Sequence, residues 1–161
     1  MEVTGDELAG VVDLFGGLTR EELGNGLAEL AFKDGEEFEP DTFADDIDRA
    51  VESYHLIELE PGDLGAEIGS LVLVAGPAAF PELPENAGDL LYILDIDQRE
   101  IDRETAGRRA TERFRAEAAR AVDADADTQA DSLIDVSYEL EAWADVDLSD
   151  VRDRLDAARR H

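Results

Sequence analysis

The chain has no cysteine, which excludes disulfides and thiolate metal sites. Its two histidines, His55 and His161, are too few for an ordinary zinc centre. Lysine occurs once, as Lys33, and the other thirteen basic residues are arginines. No apolar run approaches the roughly 20 residues that cross a bilayer. The opening Met-Glu-Val-Thr-Gly-Asp lacks the basic region and apolar core of a secretory signal. No glycine-rich phosphate loop, nucleophile elbow or metalloprotease histidine pair is present. These absences lead us to expect a cytoplasmic, non-catalytic protein with no cofactor, no metal and no membrane attachment.

Acid is what the chain has in excess. The 42 acidic residues outnumber 14 basic ones, for a formal charge of −28 over 161 residues. Such a charge repels itself and weakens the compact state in dilute buffer. At about 1 M salt the screening length falls to roughly 3 Å and most of that repulsion vanishes. The composition therefore suits a cytoplasm of high salt. Disorder fits poorly, because 43% of the residues are hydrophobic and they fall at regular spacings. The length suffices for one domain or two small ones.

The stretch from Glu39 to Ala75 organises the rest. Pro40 and Asp41 open a helix on which Phe43, Ile47, Ala50 and Val51 repeat at helical spacing. His55-Leu-Ile-Glu-Leu-Glu then takes an extended pattern, Pro61-Gly62-Asp63 marks a turn, and Ile68 to Ala75 supplies a second apolar strand. Two helices precede it. Thr4-Gly-Asp-Glu7 and Thr19-Arg-Glu-Glu22 both have the spacing of a capping box. The first helix would bury Leu8, Val11, Val12 and Phe15 and stop at Gly16-Gly17. The second would bury Leu23, Leu27, Leu30 and Ala31, with Phe32 as an extension, and stop at Asp34-Gly35. Gly24 and Gly26 inside it predict close helix packing, because no phosphate-loop lysine follows them.

Residues 76–89 read as a loop pinned to the core by Phe80 and Leu83, and residues 89–96 as a short helix with Leu90, Ile93 and Leu94 inward. Residues 99–122 form the longest predicted helix, with Ile101, Ala110, Phe114, Ala118 and Ala121 as a narrow apolar stripe. Leu133, Val136, Leu140 and Trp143 define another, with Tyr138 off the face, and Ser149 caps a last one carrying Val151 and Leu155. The fold class is therefore α+β and mostly helical. A winged-helix-like N-terminal region with a short β-hairpin (residues 1–80) is followed by a helical region (81–161).

Charge singles out one helix. Residues 99–120 carry seven arginines against five acids, in a chain acidic elsewhere. Arg109, Arg113 and Arg120 recur at helical spacing and form a candidate contact surface. They either pair with carboxylates of the same chain, as Glu104 four residues before Arg108 would, or face an anionic partner. Asp123-Ala-Asp-Ala-Asp127 has the alternate acids of a calcium loop, but Thr128 and Ile134 stand where that loop needs glycine and a carboxylate. It reads as an interhelical linker. His55 beside Tyr54 reads as structural.

Thr4-Gly-Asp-Glu-Leu, Leu18-Thr-Arg-Glu-Glu-Leu, Gly76-Pro-Ala-Ala-Phe-Pro-Glu-Leu-Pro and Leu140-Glu-Ala-Trp143 resemble an uncharacterised family of small acidic proteins of halophilic archaea. The resemblance implies no site residues. Residues 4–75 separately resemble a winged helix, a fold frequent in transcription regulators. Two functions follow: a protein-interaction or regulatory module, with a protein partner or a second copy, or a DNA-binding regulator. The third helix carries Asp41, Asp45, Asp46, Asp48 and Glu52 against Arg49 alone, a poor face for phosphates or base edges. The interaction module is the expectation.

Overall fold

The computed structural model describes residues 3–60, 70–124 and 127–159. The chain divides into two units, Met1–Asp102 and Arg103–His161. As expected it is α+β and mostly helical.

In the first unit, helix α1 (Gly5–Phe15) starts at the expected capping box. The Glu7 amide donates to Thr4 Oγ1 at 3.1 Å, and the Thr4 amide donates to Glu7 Oε1 at 3.1 Å. Gly16 ends the helix at φ 85°, and a side chain there would strike the Arg99 carbonyl. A two-residue strand β1 (Leu18–Thr19) follows, which no sequence pattern announces. Helix α2 (Arg20–Lys33) starts at the second capping box. A 3₁₀ turn (Pro40–Phe43) leads into α3 (Ala44–Glu52), so Pro40 opens a tight turn ahead of the α-helix.

Strands β2 (Leu56–Leu59) and β3 (Val72–Ala75) pair antiparallel, with Leu56 opposite Ala75 and Leu59 opposite Val72. Strand β1 adds to the other edge of β3, giving the order β1-β3-β2. The expected turn at Pro61-Gly62-Asp63, and Ile68 at the start of the second apolar run, lie outside the described residues. The core is continuous from α1 through α2, α3 and the sheet: Leu8, Val11, Val12, Phe15, Leu23, Leu27, Leu30, Phe43, Ile47, Leu56 and Leu73 are all buried.

Three apolar stretches depart from their expected burial. Phe32 is exposed, because α2 turns its apolar stripe past it in the last turn. Phe80 and Leu83 do not pin their loop. Its backbone is held instead by amides donating to Asp6, and their side chains face solvent. In α4 (Leu90–Ile93) Leu90 is buried but Ile93 is exposed, because four residues give one turn and room for one inward position.

The second unit is three helices: α5 (Arg103–Asp123), α6 (Asp127–Trp143) and α7 (Ser149–Arg159). Helix α5 begins four residues later than expected. Residues 98–99 are used on the first unit, where the Arg99 amide donates to the Phe15 carbonyl at 2.7 Å and Gln98 donates to the Leu14 carbonyl at 3.0 Å. Ile101 lies beside Gly17 and takes no part in the α5 stripe. Ala110, Phe114, Ala118 and Ala121 are buried as their spacing required. Part of the acidic stretch expected as a linker lies outside the described residues, but Asp123 still belongs to α5 and α6 begins at Asp127. Ser149 is the first residue of α7; Asp147 does the capping, its Oδ1 accepting from the Ser149 amide at 3.0 Å and hydroxyl at 2.8 Å.

Candidate interaction surfaces

The arginine helix is built from its own carboxylates upward. Arg109 meets Glu112 at 3.2 Å and Arg113 meets Glu117 at 2.9 Å, both one turn apart on α5. Arg120 is exposed further along the same helix. The three residues proposed from sequence therefore sit on one helix, and two of them pair within it.

The spacing also concealed a second set. Arg103, Arg108 and Arg115 line a groove of about 620 Å³ between the first part of α5 and the Ala144–Val146 turn after α6. Gly107 lies against Ala144, where an added Cβ would come within 3.0 Å of the Ala144 methyl. The Arg103 guanidinium lies 4.4 Å from the Trp143 ring centroid, a cation–π contact. Part of the signal lies in the sequence: Arg108 and Arg115 are seven apart, two helical turns, with the small residues Gly107 and Thr111 alongside.

Helices α6 and α7 are joined by a polar clamp. Arg152 donates to Glu141 Oε1 at 2.6 Å and to the Ser137 hydroxyl at 3.2 Å, and stacks 4.2 Å from the Tyr138 ring. Glu141 also accepts from the Leu148 amide at 2.7 Å. The Arg152 hydrogen bond, then the Leu148 amide, hold the Glu141 carboxyl below its ordinary range, and Glu141 raises Arg152 in turn.

The first unit has a counterpart at the α1–α2 corner. Arg99 forks onto Glu22 at 2.5 and 2.9 Å and also donates to the Gly17 carbonyl at 2.9 Å. Burial pushes the Glu22 carboxyl up, but the Arg99 and Thr19 hydrogen bonds outweigh it and leave it lowered.

His55 joins α1 to the α3–β2 junction. Its Nδ1 lies 2.6 Å from Ser53 Oγ and its Nε2 lies 3.6 Å from Asp6 Oδ1. Asp6 Oδ1 also accepts from the Phe80 amide, and Ser53 Oγ lies 3.2 Å from the Ala50 carbonyl. Asp6 and Ser53 thus bind backbone groups where the chain reverses, and His55 lies between them. Tyr54 makes that reversal at φ 64°, a left-handed conformation rare for a bulky residue, while its ring is buried.

The first unit also exposes a run of apolar side chains. Phe80, Leu83, Leu91, Tyr92 and Ile93 are five of the large exposed apolar residues among those described, with Phe80 at 82% and Tyr92 at 89%. Their segment is anchored at several points. The Glu82 amide donates to the Asp6 carbonyl at 3.0 Å, Leu90 and Leu94 lie over Gly26 of α2, and Lys33 bridges to Asp89 at 2.9 Å.

A family model matches residues 6–160. The chain belongs to DUF7109, a family of unknown function. Comparisons with curated proteins and with solved structures each returned no match. Among the described residues of this DUF7109 member, no helix is long and apolar enough to cross a membrane, and no group of three or more histidine or acidic side chains is arranged to hold a metal ion.

Proposed function

We propose that this DUF7109 protein is a non-catalytic protein-interaction module of a high-salt cytoplasm, with residues 80–93 as its contact surface. One observation carries the reading: large apolar side chains project to solvent from a segment anchored by hydrogen bonds and α2 packing. Exposed large apolar side chains on an anchored segment favour association, because a partner gains burial at a smaller ordering cost. At molar salt the screening length is roughly 3 Å, so long-range charge steering is weak and apolar burial carries association at this surface. The occupant is an apolar face of another protein.

The order α1-β1-α2-α3-β2-β3, with strands arranged β1-β3-β2, supports a winged-helix plan for the first unit. It does not favour DNA. Asp45, Asp48 and Glu52 are exposed on α3, and Arg49 is paired with Asp46.

The test compares wild type with a Phe80→Ser, Tyr92→Ser variant of unchanged melting temperature. Tagged protein is cross-linked in native extract at 2 M KCl, and the contact is mapped by mass spectrometry. The reading requires cross-links that map to residues 80–93 and disappear in the variant. Cross-links mapping elsewhere, or unaffected by the substitutions, would overturn it, and light scattering distinguishes a second copy from a different protein.

A further inference from the structure

We infer that the arginine-lined groove of the second unit is a docking site for an acidic peptide segment of a partner. This goes beyond the apolar contact surface and does not depend on it. In a chain with 42 acids and 14 bases, three guanidiniums converge on one groove. Among the described residues Arg108 has no ion pair and Arg103 meets the Trp143 ring but no carboxylate, while Arg115 pairs loosely with Asp150 at 4.0 Å. Carboxylates also line the groove: Glu112 is engaged by Arg109, and Glu104 and Asp145 share the lining with the arginines. Apart from Glu112, three guanidiniums stand against the two carboxylates of Glu104 and Asp145.

Shape selects the class of anion. From Arg103 to Arg115 the helix advances by about 18 Å, at roughly 1.5 Å per residue. A lone phosphate covers a fraction of that length, whereas five or six extended residues, at about 3.3 Å each, cover all of it. Arg108 and Arg115 are about 10 Å apart along the axis, close to the span of three extended residues. The floor is small and largely apolar, made of Gly107, Ala144 and Val146, and the Thr111 hydroxyl is already spent on the Gly107 carbonyl at 2.7 Å. Such a floor accepts the methylene stems of glutamates while their carboxylates meet the arginines. Forked arginine–carboxylate contacts tolerate salt better than diffuse charge attraction does.

Trp143, the chain's only tryptophan, sits under Arg103 and reports the site directly. The full chain is titrated at molar KCl with an oligoglutamate peptide, reading Trp143 emission and, in parallel, anisotropy of a labelled copy of the peptide. A saturable response in both is expected, weakened about tenfold or more by Arg108→Gln with Arg115→Gln, as loss of two charge-assisted contacts implies. Arg20→Gln, on the first unit, should leave it unchanged. Circular dichroism confirms that each variant is folded, and the single variants replace the double one if that fails. Absence of saturable binding, equal binding by the groove variants, or an equal response to single-stranded DNA of the same charge would overturn the assignment.

Discussion

The two units solve stability differently. The first, residues 1–102, holds 27 acidic and 4 basic side chains, yet closes a core of leucine, valine, isoleucine and phenylalanine around a sheet. The second, residues 103–161, holds 15 acidic and 10 basic side chains over a leaner core in which Ala106, Ala110, Ala118, Ala121 and Ala130 recur beside one buried phenylalanine, Phe114. The first has more apolar burial and more self-repulsion. The second has less of both and more intrahelical ion pairs, while each unit has an arginine clamp, Arg99 in the first and Arg152 in the second. Salt, acid and core truncation should therefore separate them.

Core truncation should have the largest effect. Removing a buried phenylalanine costs about 3–5 kcal/mol, against a total of about 5–15 kcal/mol for an ordinary domain. Phe114→Ala should abolish the thermal transition seen by Trp143, because the smaller unit has less to lose. Phe15→Ala should lower the melting of the first unit without abolishing it. Emission and circular dichroism, recorded together at 2 M KCl, compare the two. Equal losses would mean that the alanine-rich core is as robust as the larger one.

Salt removal comes next. The first unit carries a net charge of −23 and the second −5. Between 2 M and 50 mM KCl the far-ultraviolet transition should fall by more than roughly 10 °C, about 2 kcal/mol for a unit of this size. The Trp143 transition should move less. A chain as stable at 50 mM as at 2 M would remove the case for high-salt adaptation.

Acid probes the polar clamps. The Glu141 and Glu22 carboxyls are lowered from their ordinary value of 4.5. Each contributes stability that is present above that value and lost as pH falls through the lowered one. Glu141→Gln should flatten the acid side of the Trp143 melting profile, whereas Glu22→Gln should leave that profile alone and flatten the far-ultraviolet one. If either substitution moves both profiles, the units do not unfold separately.

A smaller effect is expected from the arginine stripe. Arg109→Glu with Arg113→Glu turns two pairs on α5 into like-charge contacts, each worth about 0.2–0.5 kcal/mol. We expect the Arg113 part of the loss to persist at 2 M KCl, since that pair is mostly buried, with side chains 24% and 20% exposed. A double variant that melts and scatters light as wild type does would leave the stripe free for a partner. The smallest expected effect is none at all: labelled duplex DNA should show no anisotropy change with this protein at the lowest salt that keeps it folded. Specific binding abolished by Arg49→Ala would instead make the acidic α3 a DNA-reading element.

Much of this architecture was legible because it is local. Both capping boxes, the Gly16 stop, the buried faces of α1, α2 and α5 and the β2–β3 strands depend on residues within a turn or two of one another. Gly24 and Gly26 were also readable as packing positions: Pro40 sits over the first, and Leu90 and Leu94 over the second. The contact surfaces were less legible. Phe80 and Leu83 look like core residues by type, and only the hydrogen bonds from their loop to Asp6 show that the backbone, not the side chains, is what docks.

What the amino-acid sequence determined by itself was charge, the identity of most elements and the helix ends that a capping box or glycine marks, since composition, periodicity and capping act over a few residues. Tertiary structure decided the rest. It placed Leu18–Thr19 on the free edge of β3, because a two-residue strand has no pattern of its own and exists only where a partner offers hydrogen bonds. It took Arg99 away from the long helix and bound it to Glu22, and it set Arg103, Arg108 and Arg115 around a groove closed by the turn after α6. Such arrangements depend on residues tens of positions apart, and no local rule specifies which of many arginines will meet which of many carboxylates.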